Sequence, residues 1–356
     1  MLDFSVFTAG DKRFGATDIV DAAWFRGDLQ PLWQEWLVGM ACEQRADEEG
    51  LKPDPEALQA LSEGVRYKHD LITAEETEAW LISRNLTLDD LTDYSHRRYW
   101  REHAIAPSPV ADIDYLSAAP DLRKIFIQDL LFGGKFDELI RLLSWRAAGS
   151  VATDLPDPAL SDRLEAERAR FFQRTASDPG KLSKWLEQLG RDGPWFETQI
   201  EQESGQRWNC DQLRTPENRA RTLTELRLPL TCFEVEMMDL ESADAVREAC
   251  FCLNTDGLSM EELAGQEHHR IERRQVLLED FPEALQQQFL SAETGQVLPL
   301  ITSDGRFQVC RILHKREPAL ADAKVLARVD AELLAAHFGN LVAKHIVWLI
   351  GTNAPA

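Results

Sequence analysis

Basic residues are in deficit along this 356-residue chain: 39 Lys and Arg stand against 61 Asp and Glu, a formal net charge of -22. Phosphate repels such a surface, which argues against nucleic acid or an anionic membrane as partner and leaves a basic or flexible polypeptide as the easier one. Cysteine is scarce as well. Cys42, Cys210, Cys232, Cys250, Cys252 and Cys310 form no CxxC pair and no zinc-type spacing, so reduced thiols filling cores are expected. No run reaches the roughly 18 apolar residues of a membrane span, and MLDFSVFTAGDKRFG lacks the apolar core of a signal peptide. A cytoplasmic protein is expected.

Catalytic signatures are missing too. There is no P-loop, GxGxxG, GxSxG or HExxH, and no cofactor is expected. The adjacent histidines of EHHRIE, His268 and His269, point different ways and have no third ligand at fixed spacing, so no metal is expected. Carboxylate pairs such as Asp89-Asp90 and Glu261-Glu262 stand at helix starts, where capping and the helix dipole account for them.

What is present is 44% hydrophobic residues in a length sufficient for two or three domains. LDFSVFT alternates as a short strand. Trp33, Trp36, Leu37 and Met40 then recur at helical spacing until Gly50, and a further helix runs through Leu58, Leu61 and Val65. Thr73 with Glu76, and Thr87 with Asp90, have capping-box spacing and predict two short helices forming a hairpin. Two more helices flank Gly133-Gly134, and SVATDLPDPALSD is the best linker. Residues 163–208 follow a similar order to the first hairpin, with Trp185-Leu186 matching Trp80-Leu81, as a duplication or convergent packing would give. The apolar stripe from Val325 to Val342 predicts a long terminal helix, and HIVWLIG a last strand able to pair with LDFSVFT. The ten tryptophans lie mostly in the helical parts. They serve core packing or a peptide-binding surface, with Trp33 and Trp36 open to either.

Between Leu226 and Arg316 the periodicities run strand, helix, short helix, loop, helix, strand, strand. With SADAVREA, GLSMEELA, AETGQVLPLI and GRFQV, this stretch resembles the parvulin (PpiC-type) peptidyl-prolyl isomerase module. Helices before it and a return helix after it resemble the SurA, PrsA and NifM group. The phrase LITAEETEAWLISRNLTLDDL is similar to parvulin-related accessory proteins of ribosomal peptide maturation. The fold class expected is α+β: a mainly helical N-terminal region, a C-terminal parvulin-like module with a small antiparallel sheet, and a long return helix. Expected bounds are 1–150 (SurA-like helices), 151–225 (a second helical region), 226–316 (the module) and 317–356 (the helix packing back).

The resemblance implies two histidines on adjacent central strands, a nearby Cys or Asp and an apolar proline pocket. No histidine lies between Leu226 and Leu240, and Gln308 stands at the second histidine position. His314 shares the strand face of Gln308 but lies six residues, roughly 20 Å, away. The glycine-rich loop of the family is replaced by HHRIERRQ. The apolar half is better kept, so the candidate groove residues are Cys232, Leu278, Phe281, Leu285, Phe289, Phe307 and Gln308, although Phe281, Leu285 and Phe289 at helical spacing also suit plain core packing. No catalytic residue is assigned. The expected function is a peptide-binding chaperone or accessory protein whose module does not isomerise, acting on an unfolded protein or precursor peptide, in one version with other maturation proteins. The alternatives are an active isomerase, a peptide-maturation enzyme reusing the groove with Cys232 or Cys310, and a subunit using the module as an interface.

Overall fold

The computed structural model describes residues 4–103, 113–152, 160–175, 178–267, 269–301 and 307–350. The chain runs β1 (Ser5–Ala9), β2 (Lys12–Gly15), α1 (Ala16–Arg26), α2 (Leu29–Glu48), α3 (Pro55–Lys68), α4 (Ala74–Ser83), α5 (Leu88–Glu102), α6 (Pro120–Phe132), α7 (Lys135–Ala152), α8 (Leu160–Arg174), α9 (Leu182–Leu189) and α10 (Gly193–Leu213). It continues through α11 (Pro216–Glu225), β3 (Cys232–Leu240), α12 (Ala243–Asn254), α13 (Met260–Glu267), β4 (Ile271–Leu277), α14 (Glu283–Ser291), β5 (Val297–Ile301), β6 (Phe307–Arg316), α15 (Ala323–His345) and β7 (Ile346–Trp348). The α+β class is therefore observed. Contacts divide the chain into a helical unit, Met1–Asp211 with Ala336–Ala356, and a sheet unit, Gln212–Ala335.

Local chemistry sets the helix ends of the helical unit. Thr73 Oγ1 accepts the Glu76 N–H at 3.1 Å while Glu76 Oε2 accepts the Thr73 N–H at 2.8 Å, and Thr87 with Asp90 repeats the device. Helix α1 ends at Gly27, whose φ of 80° lies in the left-handed region, and a Cβ there would meet the Arg174 side chain at 2.8 Å. The expected hairpin of α4 and α5 is only partly realised, because α5 makes its broadest packing on α2 and α3.

One large core follows. Trp33 is fully buried, stacks on Trp36 at 5.0 Å and meets Phe126 edge-on at 5.1 Å. Their indole N–H groups are satisfied, Trp33 donating to the Ile113 carbonyl at 2.7 Å and Trp36 to Asp129 Oδ2 at 2.8 Å. Phe25 stacks on Phe171 of α8 at 4.8 Å, and Trp185 and Phe196 join the same cluster. Helices α8 to α10 thus share the core of α1 to α7, whereas the expected bounds set residues 151–225 apart. Trp80 sits in α4 and Trp185 in α9, each a short helix after a longer one. Most of the expected linker, residues 153–159, lies outside the described residues. The end strand expected from HIVWLIG is present: β7 pairs antiparallel with β1, Phe7 opposite Trp348. Phe338, in the later part of α15, stacks on Trp145 at 5.2 Å.

The sheet unit is built on a four-stranded antiparallel sheet in the order β4-β3-β6-β5. Strand β4 corrects the sequence-based expectation of a loop through HHRIERRQ. Its polar run becomes a strand because β3 supplies hydrogen-bond partners from Cys232 to Met238, as an edge position with one solvated face allows. One sheet face packs Phe233, Val235 and Met237 under α14; the other packs Met238, Leu240 and Val309 under α12 and α13. Val325 and Val329 of α15 cover a third, smaller cluster with Leu230, Cys232 and Leu277. The break expected at residue 317 accordingly differs from the division by contacts, since the first turns of α15 complete the core of the sheet unit.

Candidate functional site

Strand pairing sets Asp239 of β3 opposite Gln308 of β6, and Gln308 Nε2 donates to Asp239 Oδ1. Further down the same face lie Met237 opposite Cys310 and Val235 opposite Ile312, with Leu298 and Leu300 of β5 beside them. The floor is closed by Phe281 and Phe289, stacked at 3.7 Å, with Phe233 edge-on to both. A polar pair therefore ends an apolar face.

Five of the seven candidate residues belong to this face. Leu278, Phe281 and Phe289 are buried in its core, Leu285 packs against them, and Gln308 stands at the end. The other two lie elsewhere. Phe307 packs with Met238 and Val309 on the opposite face, as it must when Gln308, its neighbour in a strand, points this way. Cys232 lies seven residues along β3 from Asp239, roughly 23 Å, in the cluster under α15. His314 pairs with Glu234 near that far end, so no imidazole of the described strands adjoins Gln308. His269, just before β4, has its backbone N–H bonded to the Ala264 carbonyl at 3.1 Å; His268 lies outside the described residues.

The thiols are poorly suited to nucleophilic work. Burial pushes Cys310 up to about 12, with Cys250 adding to the rise, and burial also raises Cys232 against an opposing pull from Arg316. A reactive cysteine needs the opposite shift. Among the described residues no group of three or more His, Cys, Asp or Glu is placed to hold a metal, and no helix is long and apolar enough to cross a membrane.

A residue not singled out from the sequence is Glu236. It is 1% exposed and lies in one cross-strand row with Arg273 and Arg311, whose Nε atoms each donate to it at 2.8 Å. Burial pushes its carboxyl up, but hydrogen bonds from Arg311 and Arg273 outweigh this and hold it below the ordinary glutamate value. The signal available was FEVEMM, which puts Glu236 on one face with Met238; without β4 as a strand, the row had no second guanidinium.

No family model matches the chain, and no curated protein does. Solved structures do. PrsA, a peptidylprolyl isomerase from Bacillus cereus, is 10% identical, with 61% of this chain and 85% of that chain covered at a TM-score of 0.37. The foldase PrsA from Streptococcus pneumoniae is 12% identical over 66% and 91%, at 0.24. A structure described with PEB4 and Cj1289, two SurA-like chaperones of Campylobacter jejuni, is 11% identical over 68% and 96%, at 0.19. These belong to the group that the sequence resembles. TM-scores this low add no weight to any reading of the site.

Proposed function

We propose that the chain is a peptide-binding chaperone or accessory protein whose parvulin-like sheet does not isomerise prolyl bonds. The observation that carries this reading is Gln308, bonded to Asp239 at the end of an otherwise intact apolar face, at the position where the family resemblance calls for the second histidine, on a sheet whose β3 has no histidine. An isomerase must lower a barrier of about 18–20 kcal/mol by stabilising a twisted amide. An amide side chain held by a neighbouring carboxylate offers no replacement for two histidines. The client is an unfolded protein or precursor peptide, and service to a peptide-maturation system in the cytoplasm is the narrower form of the same proposal. The alternative of a cysteine-dependent maturation enzyme gains nothing from two thiols shifted away from reactivity.

A protease-coupled prolyl isomerisation assay tests the reading. The full chain is expected to leave the uncatalysed rate unchanged while slowing aggregation of a denatured client. Robust turnover that disappears in Gln308→Ala or His269→Ala overturns the non-catalytic assignment.

A further inference from the structure

A second surface, within the helical unit, gathers basic side chains that are scarce in the chain as a whole. Helices α2, α5 and α6 enclose a cleft of ≈ 270 Å³ whose apolar walls include Leu32, Trp36, Met40, Phe126 and Leu130. That volume is just under the range typical of small-molecule pockets and suits one anchoring side chain of a longer ligand. At its base Asp129 is chelated by Arg97, with bonds of 2.8 and 2.6 Å, and accepts the Trp36 indole N–H at 2.8 Å, so this charge is already satisfied.

The rim is cationic. Lys68, Arg98, Arg101 and Lys135 line it, against one lining carboxylate besides Asp129, that of Glu35. Their existing partners are solvent-exposed or backbone groups: Arg98 meets Glu102 at 2.7 Å, Arg101 meets Glu35 at 3.2 Å, Lys135 meets Glu138 at 3.5 Å, and Lys68 donates to the Gly133 carbonyl. Exposed pairs of this kind contribute about 0–1 kcal/mol each, so carboxylates of a ligand compete with them readily. In a chain of net charge -22, such a cluster of cations favours a ligand whose carboxylates replace Glu35, Glu102 and Glu138 as their partners.

We infer that this cleft binds an acidic peptide segment, seating one apolar side chain between Trp36 and Leu130 while flanking Asp or Glu residues meet Arg98, Arg101 and the two lysines. The site is separate from the sheet of the proposed function and stands or falls without it.

Fluorescence anisotropy of labelled peptides with the full-length protein tests the inference. An acidic peptide carrying one central Leu is expected to bind at least about tenfold more tightly than a version with Lys for its acids, or one with Ser for its Leu, equivalent to about 1.4 kcal/mol or more. Arg98→Glu with Arg101→Glu is expected to remove that gain. So is Gly39→Leu, which keeps every charge: a Cβ at Gly39 meets nothing closer than Arg101 Cδ at 3.6 Å, so a larger side chain there grows into the cleft. Arg227→Glu, in the sheet unit, serves as the control and is expected to change nothing. Equal binding of the Lys or Ser peptide, or undiminished binding by the double-charge variant with its helical circular dichroism intact, overturns the assignment. Loss of acidic-peptide binding in that variant with client protection intact supports this site and leaves the sheet-based reading in place.

Discussion

Glu43 in the helical unit and Glu236 in the sheet unit are the same residue type in opposite electrostatic situations. Burial pushes the Glu43 carboxyl up to about 7; Arg97 pulls it down, and Asp47, Asp129 and Asp93 raise it again. Glu236 is more completely enclosed yet held below the ordinary range, because Arg311 and Arg273 both donate to it. The difference lies in how each architecture distributes its guanidinium groups. In the helical unit Arg97 is committed to Asp129 by two hydrogen bonds, so Glu43 receives only its field. In the sheet unit antiparallel pairing places one arginine on each side of Glu236 in the same row. Helix packing here ties its buried charges into separate pairs such as Arg97–Asp129 and Arg146–Glu203, whereas the sheet sets one carboxylate between two arginines in a single row.

The sharpest way to break the contrast is at the aromatic core. Trp33→Ala is expected to cost about 3–5 kcal/mol in chemical denaturation, since it removes a fully buried ring and leaves the Ile113 carbonyl unpaired. A loss below about 1 kcal/mol would mean that the core is not packed around this residue.

Next is Glu236→Gln, expected to cost about 2 kcal/mol near neutral pH through loss of charge-assisted hydrogen bonds. The depressed folded pKa gives stability that is fully present above the ordinary glutamate value of 4.5 and is lost as pH falls below it, so the variant should show a shallower acid limb. An unchanged acid limb would remove the ionic row from the stability of the sheet unit.

Glu43→Gln should act in the reverse direction and by less, about 1 kcal/mol after allowance for solvent around a partly exposed carboxyl. Between pH 4.5 and about 7 the folded form holds a proton that the unfolded chain releases, so the parent loses stability as pH rises through that window. The variant should flatten this slope and be the more stable protein at pH 8. A parent whose stability rises from pH 5 to 7 would reverse the comparison.

The smallest effect belongs to Thr73→Ala, about 0.5–1 kcal/mol by thermal melting, from loss of a solvent-exposed cap. No measurable change would mean that tertiary packing alone fixes the start of α4.

The legible parts of the fold were the local ones. Thr73 with Glu76 and Thr87 with Asp90 announced their helices because a capping box closes within four residues, and alternation in LDFSVFT marked the first strand, with the apolar run HIVWLIG as a last strand able to pair with it. Trp33 and Trp36 were recognisable as one helix face, but helical spacing could not tell core from binding surface. Packing answered that, burying both while leaving Trp36 as a wall of the α2–α5–α6 cleft. In the candidate groove, helical spacing gathered Phe281, Leu285 and Phe289, while Phe307 and Cys232 were assigned to it by likeness and fell on other surfaces.

The sequence by itself determined the acidic balance, the helix caps and the absence of histidine from β3, since each is a property of composition or of a few consecutive residues. Tertiary structure alone decided that IERRQVL is a strand, that Glu236 has two arginines, and that Lys68, Arg97, Arg98, Arg101 and Lys135 gather around one cleft. The physical reason is shared: strand hydrogen bonds and ion pairs join residues tens of positions apart, and only folding brings those groups within reach.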